Sequence, residues 1–196
     1  STSGFEMSGG ELVGPGTVVV NGAAVWTGGN LGGEHPARTV FNGDLTLSGN
    51  GSRQVRGRAV EFHGTTTWTN VGGERSFEVG TGATLLNTGH FRDQTIGNAV
   101  IGGSSLSCCF TNRGVYSKSG GSTNTTIIEI PFETEGTLQI FSGTLVLSAD
   151  SRISKIVDVY SGATLQFNGG THQLNDIRSG MGGAGSLGGR WIFGSD

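Results

Sequence analysis

A short phrase recurs along the chain: a glycine, a small or polar residue, then apolar residues two and four positions beyond the glycine. It reads Gly16-Thr17-Val18-Val19-Val20, Gly43-Asp44-Leu45-Thr46-Leu47, Gly136-Thr137-Leu138-Gln139-Ile140 and Gly143-Thr144-Leu145-Val146-Leu147, with looser copies at Gly22, Gly64, Gly82 and Gly162. A period of two puts both apolar residues on one face of a strand. Gly22, Gly43 and Gly64 follow one another at equal steps, and Trp26 and Trp68 each lie four residues after their glycine, with Leu47 midway. A return of the same face at a fixed interval predicts coils that stack, so that Trp26, Leu47 and Trp68 form one column.

These patterns predict an all-β fold, a parallel β-helix (β-solenoid) with roughly 21-residue coils, over residues 1–196 as a single domain, whether a segment of a longer repetitive protein or a fibre subunit. About nine coils at ~4.8 Å each would make a rod on the order of 40 Å long. Two phrases share a coil where their glycines are close, as at Gly16 and Gly22 or Gly136 and Gly143. Asn21-Gly22, Asn42-Gly43, Ser142-Gly143 and Ser161-Gly162 suit corners, since these pairs tolerate positive φ. The rival reading of Asn-Gly is an antiparallel hairpin in a sandwich or barrel, which does not explain the recurring interval. Leu47, Trp68, Leu138, Ile140, Leu145 and Leu147 are the expected core. Pro131 fits a corner or an edge better than a central strand. The stretch from Asp93 to Tyr116 shows no clean phrase and is expected to carry a longer loop. Arg178 to Arg190, with six glycines, is expected to be loosely ordered.

Composition agrees. Glycine supplies 38 of 196 residues without a Gly-X-Y period, and only two lysines occur, Lys118 and Lys155. Threonine, serine and valine favour strands. A net charge of −3 gives no basic face for nucleic acid. No apolar run approaches the ~18 residues of a membrane span. Ser1 to Gly10 lack a basic start and an apolar core, so a signal peptide is expected to be absent or already removed.

Phe141-Ser-Gly-Thr-Leu-Val-Leu-Ser148, Ser161-Gly-Ala-Thr-Leu-Gln-Phe-Asn-Gly-Gly-Thr-His172 and Gly183-Ala-Gly-Ser-Leu187 resemble the Gly/Thr/Ser-rich repeats of large bacterial surface proteins, of the autotransporter passenger and adhesin kind. The similarity is clearest over residues 11–90 and 132–191. It implies secretion to the cell surface, a parallel β-helix and a structural or adhesive role, with no catalytic residues to transfer. Gly14-Pro-Gly-Thr-Val18 is echoed by Gly183-Ala-Gly-Ser-Leu187, each followed by a tryptophan, Trp26 or Trp191. A new module or an identical neighbouring subunit would continue such a stack, since open strand edges invite pairing. End-to-end self-association is therefore the expected partnership.

Candidate chemistry is sparse, and neither enzyme activity nor a cofactor or metal site is expected. The literal G-x-G-x-x-G at Gly183–Gly188 has no room for the helix and acidic residue that a dinucleotide site requires. Leu187 stands where a calcium β-roll needs aspartate. His35, His63, His90 and His172 lack metal-ligand spacing, and Glu61 with His63 reads as a paired surface couple. A polysaccharide-cleaving β-helix would draw on Glu129, Glu133 and Glu135, or on Glu74, Arg75 and Glu78. A passive glycan groove would use Trp26 or Trp68 outward as stacking platforms. Ice binding needs threonines in register on every coil, whereas Thr65, Thr66, Thr67 and Thr69 crowd into one. Cys108 and Cys109 leave three alternatives open: free thiols on opposite faces, a strained vicinal disulfide, or a bond to another chain. Asn50-Gly-Ser52 and Asn124-Thr-Thr126 are N-glycosylation sequons.

Overall fold

The computed structural model describes residues 1–70, 77–103, 109–178 and 189–194, and these contain 24 strands and no helix. Every pairing between named strands is parallel. The chain is a β-solenoid of about eight coils, and the hairpin alternative is excluded. Each coil contributes three strands to three ladders. The first face includes Thr17–Val20, Arg38–Phe41, Ala59–Phe62, Thr84–Asn87 and Cys109–Asn112. The second includes Ala24–Trp26, Leu45–Leu47, Thr65–Trp68, His90–Asp93 and Val115–Lys118, and the third Gly29–Gly32, Arg53–Arg56, Phe77–Val79, Ala99–Gly102 and Thr125–Ile128.

The interior follows from the period-two pattern. Trp26, Leu47 and Trp68 are in register and at most 1% exposed, forming the expected column. All six expected core residues are buried. The recurring phrase marks strands on all three faces: Thr17–Val20 lies on the first, Leu45–Leu47 and Thr137–Ile140 on the second, and Thr144–Leu147 on the third. Aromatic rings run up the inside: Phe41 stacks on Phe62 at 6.3 Å and Phe91 on Tyr116 at 5.5 Å, with Phe110 edge-on to Phe132 at 5.5 Å. The first-face column Phe41, Phe62, Asn87, Asn112, Thr134 changes from rings to amides midway. There Asn87 Nδ2 donates to Asn112 Oδ1 at 2.7 Å, and Asn112 Nδ2 to Thr134 Oγ1 at 2.9 Å.

Between the first and second faces, six coils turn at a glycine in the same register: Asn21-Gly22, Asn42-Gly43, His63-Gly64, Thr88-Gly89, Arg113-Gly114 and Glu135-Gly136. The glycines are required here for a different reason from the expected positive φ, which none of the six adopts, although Gly143 and Gly162 at other corners do, at 73° and 81°. A Cβ at Gly43 would lie 2.3 Å from the Gly22 carbonyl oxygen, at Gly64 2.4 Å from that of Gly43, and at Gly114 2.0 Å from that of Gly89. Each corner rests on the backbone of the one before. The column ends at Lys155, in register with Gly136 by continuity from Thr137 and Ile156, and Lys155 takes a left-handed φ of 74° inside the long strand Ser151–Val159.

The other two corners vary in length, so the interval drifts. In register, Leu45 meets Thr66 at the expected spacing, whereas the step from His90 to Val115 is longer. The step from Ala99 to Thr126 is longer still, and that from Thr125 to Thr144 is shorter than any of these. Two buried arginines tie these corners down. Arg58 donates to the carbonyls of Gly32, Arg38 and Gly14, each at 2.8 Å, and so spans three coils. Arg53 donates to the Trp26 carbonyl at 2.8 Å and to that of Ser48. Burial lowers its pKa to about 10.

The stretch from Asp93 to Tyr116, expected to carry a longer loop, contains the strands Ala99–Gly102 and Cys109–Asn112 and the start of Val115–Lys118; residues 104–108 lie outside the described residues. Pro131 sits at a corner just ahead of Phe132–Thr134. The glycine-rich 179–188 lies outside the described residues. No helix among the described residues is long and apolar enough to cross a membrane.

Candidate functional site

Outward side chains on the first face form their own columns. Near one end they frame a groove of about 270 Å³. Cys109 and Pro131 contribute to its apolar surface, while Glu133, Asp150, Arg152 and Gln173 supply polar groups. The register creates this placement: Glu133 lies beside Arg152, and Arg152 beside Gln173. Arg152 Nη1 stands 3.5 Å from Glu133 Oε1 in an exposed pair, a geometry that contributes little to stability. Asp150 Oδ1 accepts the Thr171 N–H at 2.7 Å, which commits that oxygen to holding the corner. Such a groove offers hydroxyl-rich ligands a carboxylate, a guanidinium and an amide over an apolar floor.

The carboxylates named from sequence do not converge. Glu133 pairs with Arg152, Glu135 with Arg113 at 3.1 Å, and Glu129 is exposed. Glu78 accepts from Gln54 at 2.9 Å and from Arg56 at 3.4 Å, while Glu74 and Arg75 lie outside the described residues. No protein-family profile, curated protein or solved structure matches the chain.

The tryptophans are corrected as glycan platforms. Trp26 is 0% and Trp68 1% exposed, because both stand at inward positions of their strands. Cys109 is a half-buried free thiol at the groove, and Cys108 lies outside the described residues. Asn50 is exposed, as a glycan acceptor must be, whereas Asn124 is half-buried and its Nδ2 donates to the Thr95 carbonyl at 2.7 Å. Outward Thr46 and Thr67 are followed in register by Arg92, so the threonine rank is broken. Among the described residues no three His, Cys, Asp or Glu side chains gather to hold a metal.

Glu61 and His63 do pair, at 3.1 Å, but not as a surface couple: Glu61 is buried at 7% exposed, within a network over three coils. Arg38 grips Glu61 through Nε at 2.5 Å and Nη2 at 2.6 Å, His63 Nδ1 lies 3.1 Å from Asn42 Oδ1, and Asn42 donates to Asn21 at 2.8 Å. The Arg38 hydrogen bond holds Glu61 below its usual carboxylate range against the opposing effect of burial, with His63 adding to the depression. A depressed pKa stabilises the fold above the unfolded value of about 4.3, and the contribution is lost as pH falls through the folded value. Arg38→Met should therefore cost on the order of 1 kcal/mol near pH 7, with the difference in Tm from wild type closing in acid. A gap that stays constant from neutral pH to strong acid would refute this linkage.

Sequence reasoning missed one constellation. Asp93 and Lys118 are in-register neighbours whose side chains are both 0% exposed. Lys118 Nζ lies 3.6 Å from Asp93 Oδ2 and donates to Thr126 Oγ1 at 2.9 Å. Thr126 Oγ1 donates to Asp93 Oδ2 at 2.6 Å, and Tyr116 OH donates to the same oxygen at 3.2 Å. Asp93 Oδ1 accepts from the Thr95 hydroxyl at 2.8 Å and from its N–H at 3.2 Å. Burial lowers the Lys118 pKa, with Asp93 opposing, and burial ahead of the Asp93 charge raises that of Tyr116. The signal was present: Gly89-His-Phe-Arg-Asp93 and Gly114-Val-Tyr-Ser-Lys118 repeat the phrase, with opposite charges in its last apolar position.

Proposed function

We propose that the chain is an extracellular structural or adhesive rod that associates end to end into a surface fibre. The observation that carries this reading is the parallel stacking of about eight coils around a largely apolar interior. Backbone hydrogen bonds in such a stack run along the rod axis, so tension along it is shared by three ladders at once. An end-on second copy would extend the ladders by the same pairing that joins successive coils. Location at the cell surface rests on the resemblance of the repeats to bacterial adhesins.

Electron micrographs and light scattering of purified protein over a range of concentrations test the assembly. Filaments whose length grows with concentration are the expected result. A strictly monomeric species at high concentration would overturn it.

The groove beside Glu133 and Arg152 favours a second reading, in which the rod binds a cell-surface glycan without cleaving it. A glycan array would show binding that Arg152→Ala and Glu133→Gln both weaken. Cleavage of an acidic polysaccharide by the wild type would replace passive binding with an enzymatic role.

A further inference from the structure

We propose that Lys118 and Asp93 are joined by an intramolecular amide bond between Nζ and Cγ, formed with loss of one water, which cross-links two neighbouring coils inside the solenoid. The inference stands on the geometry of the buried cluster and is independent of the role proposed for the rod.

An ammonium buried for the sake of an ion pair normally sits at about 2.7–2.9 Å from its carboxylate. Here Nζ stands at 3.6 Å from Oδ2, a long contact for such a pair, and its short hydrogen bond goes to the Thr126 hydroxyl instead. A charged lysine held this way has three protons to place and one short acceptor, with its carboxylate at the longer distance. Burial favours the neutral amine, which carries the lone pair needed for attack.

The two oxygens of Asp93 are held differently, and each arrangement suits one part of an acyl transfer. Oδ1 faces two donors from Thr95, its N–H and its hydroxyl, placed to stabilise negative charge on that oxygen as Nζ adds to Cγ. Oδ2 faces the hydroxyls of Thr126 and Tyr116, the donors suited to an oxygen that must leave. Thr126 Oγ1 touches both Nζ and Oδ2, so it can accept a proton from one and pass its own to the other. The balance closes without an oxidant or co-reactant. Starting from ammonium and carboxylate, two protons pass from Nζ to Oδ2, the Cγ–Oδ2 bond breaks as the Nζ–Cγ bond forms, and Oδ2 departs as water. One proton stays on the amide nitrogen, and Oδ1 becomes the amide oxygen.

Proximity supplies the drive. Adjacent rungs fix both side chains in one solvent-shielded compartment, and well-oriented intramolecular reactions reach effective molarities of about 10⁵ M or more. The product removes two charges from a site walled by aromatic rings, including Phe91 stacked on Tyr116.

The mass of the purified chain, measured intact after denaturation, is expected to fall below its sequence mass by one water. Trypsin should leave residues 93–113 and 114–152 as a single branched peptide, uncut at Lys118. Lys118→Arg retains the charge but cannot form the bond, and should return the mass to its sequence value. Full sequence mass in a folded wild-type sample, with cleavage at Lys118, would overturn the proposal. So would a water loss that tandem spectra place at any other residue.

Discussion

Replacing Leu145 by aspartate is expected to abolish the cooperative thermal transition at neutral pH. Leu145 is 0% exposed and stands in register between Thr126 and Leu165, so its side chain has packed rungs on both sides. Removing a buried leucine side chain alone costs about 2–5 kcal/mol. An unpaired carboxylate adds a desolvation penalty of several kcal/mol. Together these rival the whole stability of a typical domain, about 5–15 kcal/mol. Leu145→Ala should therefore melt earlier than wild type but still fold. The aspartate variant should recover partly in acid, because its raised folded-state pKa imposes a penalty that grows with pH above the unfolded value. Hydrogen exchange should rise first around Thr126 and Leu165, since in a stacked repeat damage spreads from the injured coil. A wild-type Tm for Leu145→Asp, followed by circular dichroism, would contradict the register described above.

The glycine corner yields the second large effect. An alanine at Gly89 would place its Cβ 2.1 Å from the Gly64 carbonyl oxygen and 2.4 Å from that of His63. Neither oxygen is the free end of a side chain. Gly64 already accepts from the His90 N–H at 3.2 Å, and Gly89 donates to Phe62 at 3.1 Å, so the two coils would have to part to admit one methyl group. The cost should reach or exceed the upper end of the ~1–3 kcal/mol typical of overpacking. Gly114→Ala, with 2.0 Å to the Gly89 carbonyl, should behave alike. Gly16→Ala serves as the control: nothing lies within 4 Å of its Cβ, and its φ is not left-handed. Its stability should match wild type to within about 0.5 kcal/mol by denaturant titration. Equal losses at Gly89 and Gly16 would show that the clash is not what selects glycine.

Strand positions and the direction of their side chains were legible in the sequence, because alternation and the even return of the phrase reinforce each other between Gly22 and Trp68. Beyond Gly64 the return lengthens, since the variable corners take up extra chain, and periodicity alone loses the thread. Gly89 and Gly114 escaped notice because the phrases after them end in Asp93 and Lys118 in place of an apolar anchor. Arg53 and Arg58 were equally opaque. Arginine is almost never fully buried unless its charge is compensated, and here the partners include backbone carbonyls of neighbouring coils, which no side-chain pattern encodes. The groove at Glu133 depends on which residues adjoin across successive coils, so it appears only once register is fixed. The inward tryptophans carry the plainest lesson: the alternation that placed them in a column already precluded a role on the surface.

The fixed first corner and the two variable ones divide the rod into a keel and two margins. Six coils turn through the keel at a glycine in the same register, whereas the margins absorb the difference between the short step from Thr125 to Thr144 and the long one from Ala99 to Thr126. A peptide grafted between Ser122 and Thr123, at the exposed tip of one margin, would project sideways while the rungs beneath kept their pairing. A chain built this way can diversify what it displays along two edges without renegotiating its architecture.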